Sequence, residues 1–84
     1  MTDHYDFTDG VQIVAARALL RLTRDELAER AGVGRNSLYK LERDRSLNIY
    51  SRVYRKVISK LADLGVIPVE GGVAKLPSAD DVFK

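Results

Sequence analysis

A chain of 84 residues with a formal net charge of +2 fits one compact domain, residues 1 to 84, whose small core a partner subunit would help to stabilise. The lack of cysteine excludes a disulfide framework and any thiolate metal site. Apolar runs fall far short of the roughly 18 residues a membrane span needs, and the acidic N-terminus lacks a secretory pattern, so a cytoplasmic protein without cofactor or metal is expected.

The first predicted helix runs from about Asp9 to Leu22. Thr8 or Asp9 can cap it, and Val11, Val14, Ala15, Ala18, Leu19 and Leu22 recur at spacings of three and four as one apolar stripe. Thr23-Arg24-Asp25-Glu26 has the form of a capping box and opens a short second helix with Leu27, Ala28 and Ala31 inward. Gly32 can take the left-handed conformation that ends it. A third helix starts at Arg35, with Leu38 and Leu41 as a narrow inner edge and polar residues elsewhere. Asn48 can cap a fourth, with Ile49, Val53, Val57, Leu61 and Leu64 as its stripe and Gly65 as its end. Beyond Gly65 the period changes. Val66 to Glu70 and Val73 to Leu76 read as two short extended runs around Gly71-Gly72, a hairpin over about 66 to 76 in which Pro68 favours an edge. Pro77 to Lys84 reads as a frayed tail.

Charge is segregated along this plan. Residues 1 to 16 hold three Asp and no Lys or Arg, whereas from Arg17 to Lys60 basic residues outnumber acidic ones by seven. The middle of the chain is therefore the candidate surface for a polyanion. Two short helices joined by a glycine-containing turn, the second bare of apolar residues on its outer side, have the layout of a helix-turn-helix over about 23 to 43. Such a layout frees the second helix to enter a major groove. No nucleophile, acid or metal ligand converges there, so an enzyme is not expected. His4 reads as a terminal residue, and adjacent Asp80 and Asp81 as solvated carboxylates.

The stretch from Leu22 to Arg43 resembles the helix-turn-helix of lambda-repressor-like regulators, the Cro-like or XRE-like proteins. The residues that carry the likeness are Glu26-Leu27-Ala28, Ala31-Gly32-Val33 and the ending Leu38, Leu41-Glu42-Arg43. Looser similarity extends from about Val11 to Leu64. It implies an all-α fold, a four-helix lambda-repressor-like DNA-binding domain with a short C-terminal β-hairpin appended. Residue by residue it places Arg35, Asn36 and Lys40 against base edges, with Ser37 and Tyr39 as lesser candidates on the same face. Arg or Lys can donate to guanine O6 and N7, and Asn pairs with adenine N6 and N7, each bidentate match discriminating by about 1 to 3 kcal/mol. Tyr39 has a second reading, a ring covering the helix edge beside Arg43.

Arg24, Arg43, Arg45 and Arg52, at helix ends, are candidates for phosphate contacts. Arg55, Lys56 and Lys60 read as a solvated face. The resemblance further implies an ion pair between Arg17 and Glu42 that ties the first helix to the third. Two positions depart from the family pattern. Arg24 stands where a Gln is usual, so the Gln bridge to the recognition helix does not carry over. Gly34 stands where a Ser or Thr usually caps, at a cost of only a few tenths of a kcal/mol.

The function expected from these residues is sequence-specific regulation of transcription, as a repressor. A homodimer would bind a pseudo-palindrome in double-stranded DNA, the hairpin and the end of the fourth helix serving as the dimer surface or else as an intramolecular cover. The competing reading is an antitoxin or other protein-interaction module that neutralises a partner protein through the hairpin and tail and binds DNA secondarily.

Overall fold

A computed structural model describes residues 6–77, so His4, Asp80, Asp81 and most of the expected tail lie outside the described residues. Four helices, α1 (Gly10–Leu20), α2 (Arg24–Ala31), α3 (Arg35–Arg43) and α4 (Arg52–Asp63), precede an antiparallel pair, β1 (Val66–Val69) and β2 (Gly72–Lys75). The fold is all-α with a C-terminal β-hairpin, matching the expected class.

Local chemistry sets most of the helix ends. Asp9 accepts from the Val11 amide at 3.0 Å, while Gln12 Oε1 accepts from the Asp9 N–H, closing a capping box at the start of α1. Thr23 and Glu26 close a second one at α2, with the Glu26 amide on the Thr23 hydroxyl and the Thr23 amide on Glu26 Oε1. The Thr23 amide, then the Thr23 side chain, hold the Glu26 carboxyl below its ordinary value. A depressed carboxyl stabilises the fold above its unfolded pKa, and that contribution fades as pH falls through the folded value. Gly32, at φ 72°, ends α2.

At the end of α1 the same left-handed role falls to Arg21, at φ 57°. A left-handed non-glycine residue costs roughly 1 to 2 kcal/mol, and glycine returns part of that gain through its freer unfolded chain. Arg21→Gly is therefore expected to stabilise the domain by about 0.5 to 1 kcal/mol, visible as a thermal midpoint a few degrees higher; a lower midpoint would refute it.

Helix α1 is turned away from its expected phase. Val11, Val14, Ala18 and Leu19 face solvent, whereas Gly10, Ile13 and Ala16 are buried and Leu20 packs against the core. Nine of the eleven residues of α1 are apolar or glycine, so local pattern cannot choose a face. The choice is made at a distance. The Gly10 backbone lies against the carbonyls of Leu41 and Glu42, and its N–H donates to the Asp44 carbonyl at 2.7 Å.

Helix α4 also begins later than expected. Asn48 caps a turn instead, its side chain accepting from the Tyr50 amide, and Ser51 caps the helix by accepting from the Tyr54 amide at 3.3 Å. Ile49 is left outside the helix and exposed, and Tyr54, Val57 and Leu61 form the inner stripe. The Tyr54 hydroxyl donates to the Phe7 carbonyl at 3.1 Å and fastens the N-terminal segment over the core. Burial, then the charge of Asp6, pushes that phenol above its ordinary value.

The hairpin pairs Val66 with Lys75 and Val69 with Gly72 around Glu70-Gly71, Gly71 supplying the positive φ of 77°. Val66 is buried, Val73 packs on the core, and Gln12 Nε2 donates to the Gly72 carbonyl at 3.1 Å. The hairpin packs against α1 and α4.

Candidate nucleic-acid interface

Helices α2 and α3 meet across Leu27, Ala28, Leu38 and Leu41, all buried, with Val33 packed against the same core. That packing aims one side of α3 at solvent. Arg35, Asn36, Ser37, Tyr39, Lys40 and Arg43 are all exposed. The helix has no side-chain cap, as Gly34 dictates, and its start is held by the Leu38 amide on the Gly34 carbonyl. Arg35 Nη1 reaches Asp25 Oδ2 at 3.5 Å, with both side chains largely in water. A pair so exposed contributes little and yields readily to a better acceptor.

Beneath this surface Glu42 is the one buried charged residue among those described. Its carboxylate takes two guanidinium groups. Arg17 donates from Nε to Oε2 at 2.6 Å and from Nη2 to Oε1 at 3.1 Å, and its Nη1 reaches the Leu22 carbonyl. Arg24 donates from Nε to Oε1 at 2.9 Å. One carboxylate thus links α1, α2 and α3, with one positive charge in excess. No buried side-chain nitrogen or oxygen among the described residues is left without a partner.

Arg24 therefore does bridge to α3, through the Glu42 carboxylate. Its guanidinium also stands over the Tyr39 ring, 4.6 Å from the centroid. From the other helix, Arg43 lies 5.3 Å from the same centroid and donates from Nη1 to the Tyr39 hydroxyl at 3.1 Å. The Tyr39–Arg43 contact agrees with the second reading of Tyr39, whereas the part of Arg24 escaped sequence reasoning because residue 24 meets residues 39 and 42 only through the tertiary fold. The one sequence hint is that Tyr39, Glu42 and Arg43 stand three and four apart on one helix.

The remaining candidates are dispersed. Arg45 is exposed in the turn after α3. Arg52 opens α4 and shares a shallow groove of about 540 Å³ with Ala31, Arg55, Lys56 and Lys60. Lys56 Nζ caps the end of α2 through the Gly32 carbonyl at 3.4 Å, and Lys60 faces Asp63 at 4.0 Å. Among the described residues no group of acidic, histidine or cysteine side chains could hold a metal ion, and no helix is long and apolar enough to cross a membrane.

Residues 13–49 match a helix-turn-helix family model. No curated protein and no solved structure matches the chain. The matched segment spans α1 from Ile13 onward, all of α2 and α3, and the turn that follows. Its two-helix unit, joined at Gly32-Val33-Gly34 and exposing the polar side of α3, is similar to the DNA-binding helix-turn-helix of lambda-repressor-like, Cro-like regulators.

Proposed function

We propose that the protein is a sequence-specific transcriptional repressor that inserts α3 into the major groove of a pseudo-palindromic operator. The observation that carries this reading is the outer side of α3, where Asn36, Ser37, Lys40 and Arg35 are exposed with no apolar cover. Arg35 and Lys40 are assigned to guanine edges, Asn36 to adenine, and Ser37 to a lesser contact on the same face. Arg24, Arg43, Arg45 and Arg52 are assigned to backbone phosphates on either side of the groove. A homodimer would place two such helices in half-sites about 34 Å apart. The outer edges of the hairpin, with exposed Leu76, and the end of α4 are the proposed contact between copies. Sedimentation at micromolar concentration, free and on DNA, tests the dimer, and a strict monomer in both refutes it.

Selection of bound duplexes from a random pool tests sequence specificity. A symmetric enriched motif is expected, and the absence of any enriched motif refutes specific regulation. Within that motif, Asn36→Ala is expected to relax preference at one base position by about 1 to 3 kcal/mol while leaving the others intact.

A second reading, a protein-interaction module such as an antitoxin, is favoured by the outer face of α1, where Val11 is 61% and Leu19 44% exposed. A stoichiometric protein partner whose binding survives Arg35→Ala and Lys40→Ala would make interaction the main role.

A further inference from the structure

Tyr39 sits at the meeting point of two helices and two guanidinium groups. Its hydroxyl already accepts from Arg43, its ring already carries Arg24, and its neighbour Glu42 already holds Arg24 Nε. These contacts engage the polar atom and the ring face that a base would otherwise use. They also fix two long side chains that are usually free. Arg24 keeps 39% of its side chain exposed, and Arg43 is exposed at the end of α3, so both retain donors directed to solvent. From the geometry we infer that Arg24, Tyr39 and Arg43 form a single backbone clamp. Its ligand is the phosphodiester chain of one DNA strand, and Tyr39 is the residue that positions both arginines.

The physical advantage is pre-organisation. Immobilising a flexible side chain at an interface ordinarily reduces affinity, and a group already held in its bound geometry avoids most of that loss. Stacking on an aromatic face leaves the in-plane N–H donors of a guanidinium free for oxyanions. Glu42 does the same for Arg24 from below, and because Arg17 shares that carboxylate, the positive charge of Arg24 is not cancelled at the surface. Arg43 is then the outer jaw and Arg24 the inner one. Tyr39 contributes to affinity through them and reads no base.

This inference rests on the DNA-binding reading above, and one titration series separates the two. Binding to a mixed-sequence duplex of about 20 base pairs is measured by fluorescence anisotropy over roughly 50 to 200 mM salt. Arg24→Ala and Arg43→Ala are each expected to lower the slope of log affinity against log salt by about one. Tyr39→Leu is expected to weaken binding roughly tenfold, by the same factor on every duplex, and to have no further effect once both arginines are alanine. Tyr39→Phe, which keeps the ring, is expected to lose only the share of Arg43, and to be neutral on an Arg43→Ala background.

If Tyr39→Leu weakens the doubly substituted protein as much as the wild type, or alters the bases enriched in a selection, the ring touches DNA itself and the inference is overturned. A Tyr39→Leu variant that binds like wild type also overturns it, and leaves the DNA-binding reading standing. Wild-type protein without salt-dependent duplex binding would overturn both. Tyr39 is 41% exposed, so these variants are expected to fold, and unchanged thermal melting verifies it.

Discussion

Glu42→Ala is expected to cost about 3 to 5 kcal/mol of folding stability, because removing one side of a buried ionic group leaves the other uncompensated. Here the effect falls on two cations at once. The Glu42 side chain is 2% exposed, and the Arg17 beside it only 16%. Arg17 would keep a single hydrogen bond, to the Leu22 carbonyl, and Arg24 would keep only the Tyr39 ring. Small domains are stable by about 5 to 15 kcal/mol, so this loss is about a fifth of the total or more. Urea unfolding should report it directly, with a thermal midpoint lower by more than about 10 °C. Glu42→Gln, similar in shape but uncharged, should fall between the two. A loss below about 1 kcal/mol for the alanine variant would mean that the arginines find water or other acceptors, and that the shared carboxylate does not hold the three helices together.

Gly10→Ala is the second large effect, and its cause is space. A Cβ there would overlap the carbonyl oxygens of Leu41 and Glu42, which are backbone atoms of α3. Over-packing usually costs about 1 to 3 kcal/mol when side chains can move. Two helix backbones cannot part without also loosening the Gly10 amide from the Asp44 carbonyl, so the expected loss is at the top of that range or beyond it. Gly34→Ala is the control, since its nearest neighbour would be Ser37 Oγ at 3.7 Å, an ordinary contact. If Gly10→Ala unfolds at the same denaturant concentration as Gly34→Ala, the close approach of α1 to α3 is not a determinant of the fold.

The parts of this molecule that are legible in its sequence are those written by local chemistry. Thr23 and Glu26 specify the start of α2, and Gly32 its end, within ten residues. The change of period after Gly65 specifies the hairpin, and residues 13–49 carry a recognisable family pattern. What escapes is what depends on contacts across the chain. The face of α1 is one example, since an almost wholly apolar helix offers every phase, and only the fit of Gly10 against α3 selects Ile13 and Ala16 over Val11 and Val14. The start of α4 is another. Asn48 and Ser51 are both good caps, and the choice follows from the burial of Tyr54 and its bond to Phe7. The Arg24 bridge is a third, because its guanidinium reaches Glu42 and Tyr39 by geometry that no spacing rule encodes.

Gln12 and Gly72 are sixty residues apart, yet a hydrogen bond joins them, and Val73 on the last strand packs against the core. The domain is thus closed by its hairpin. During synthesis, α2 and α3 can pair as soon as they emerge, but the flank of α1 that the hairpin covers stays open until β2 has left the ribosome. Long-range closure of this kind is slow relative to helix pairing, and an apolar helix waiting for its cover is the species most exposed to association with other nascent chains. Completion of the hairpin is therefore the step at which a chain that has already paired α2 with α3 covers its first helix.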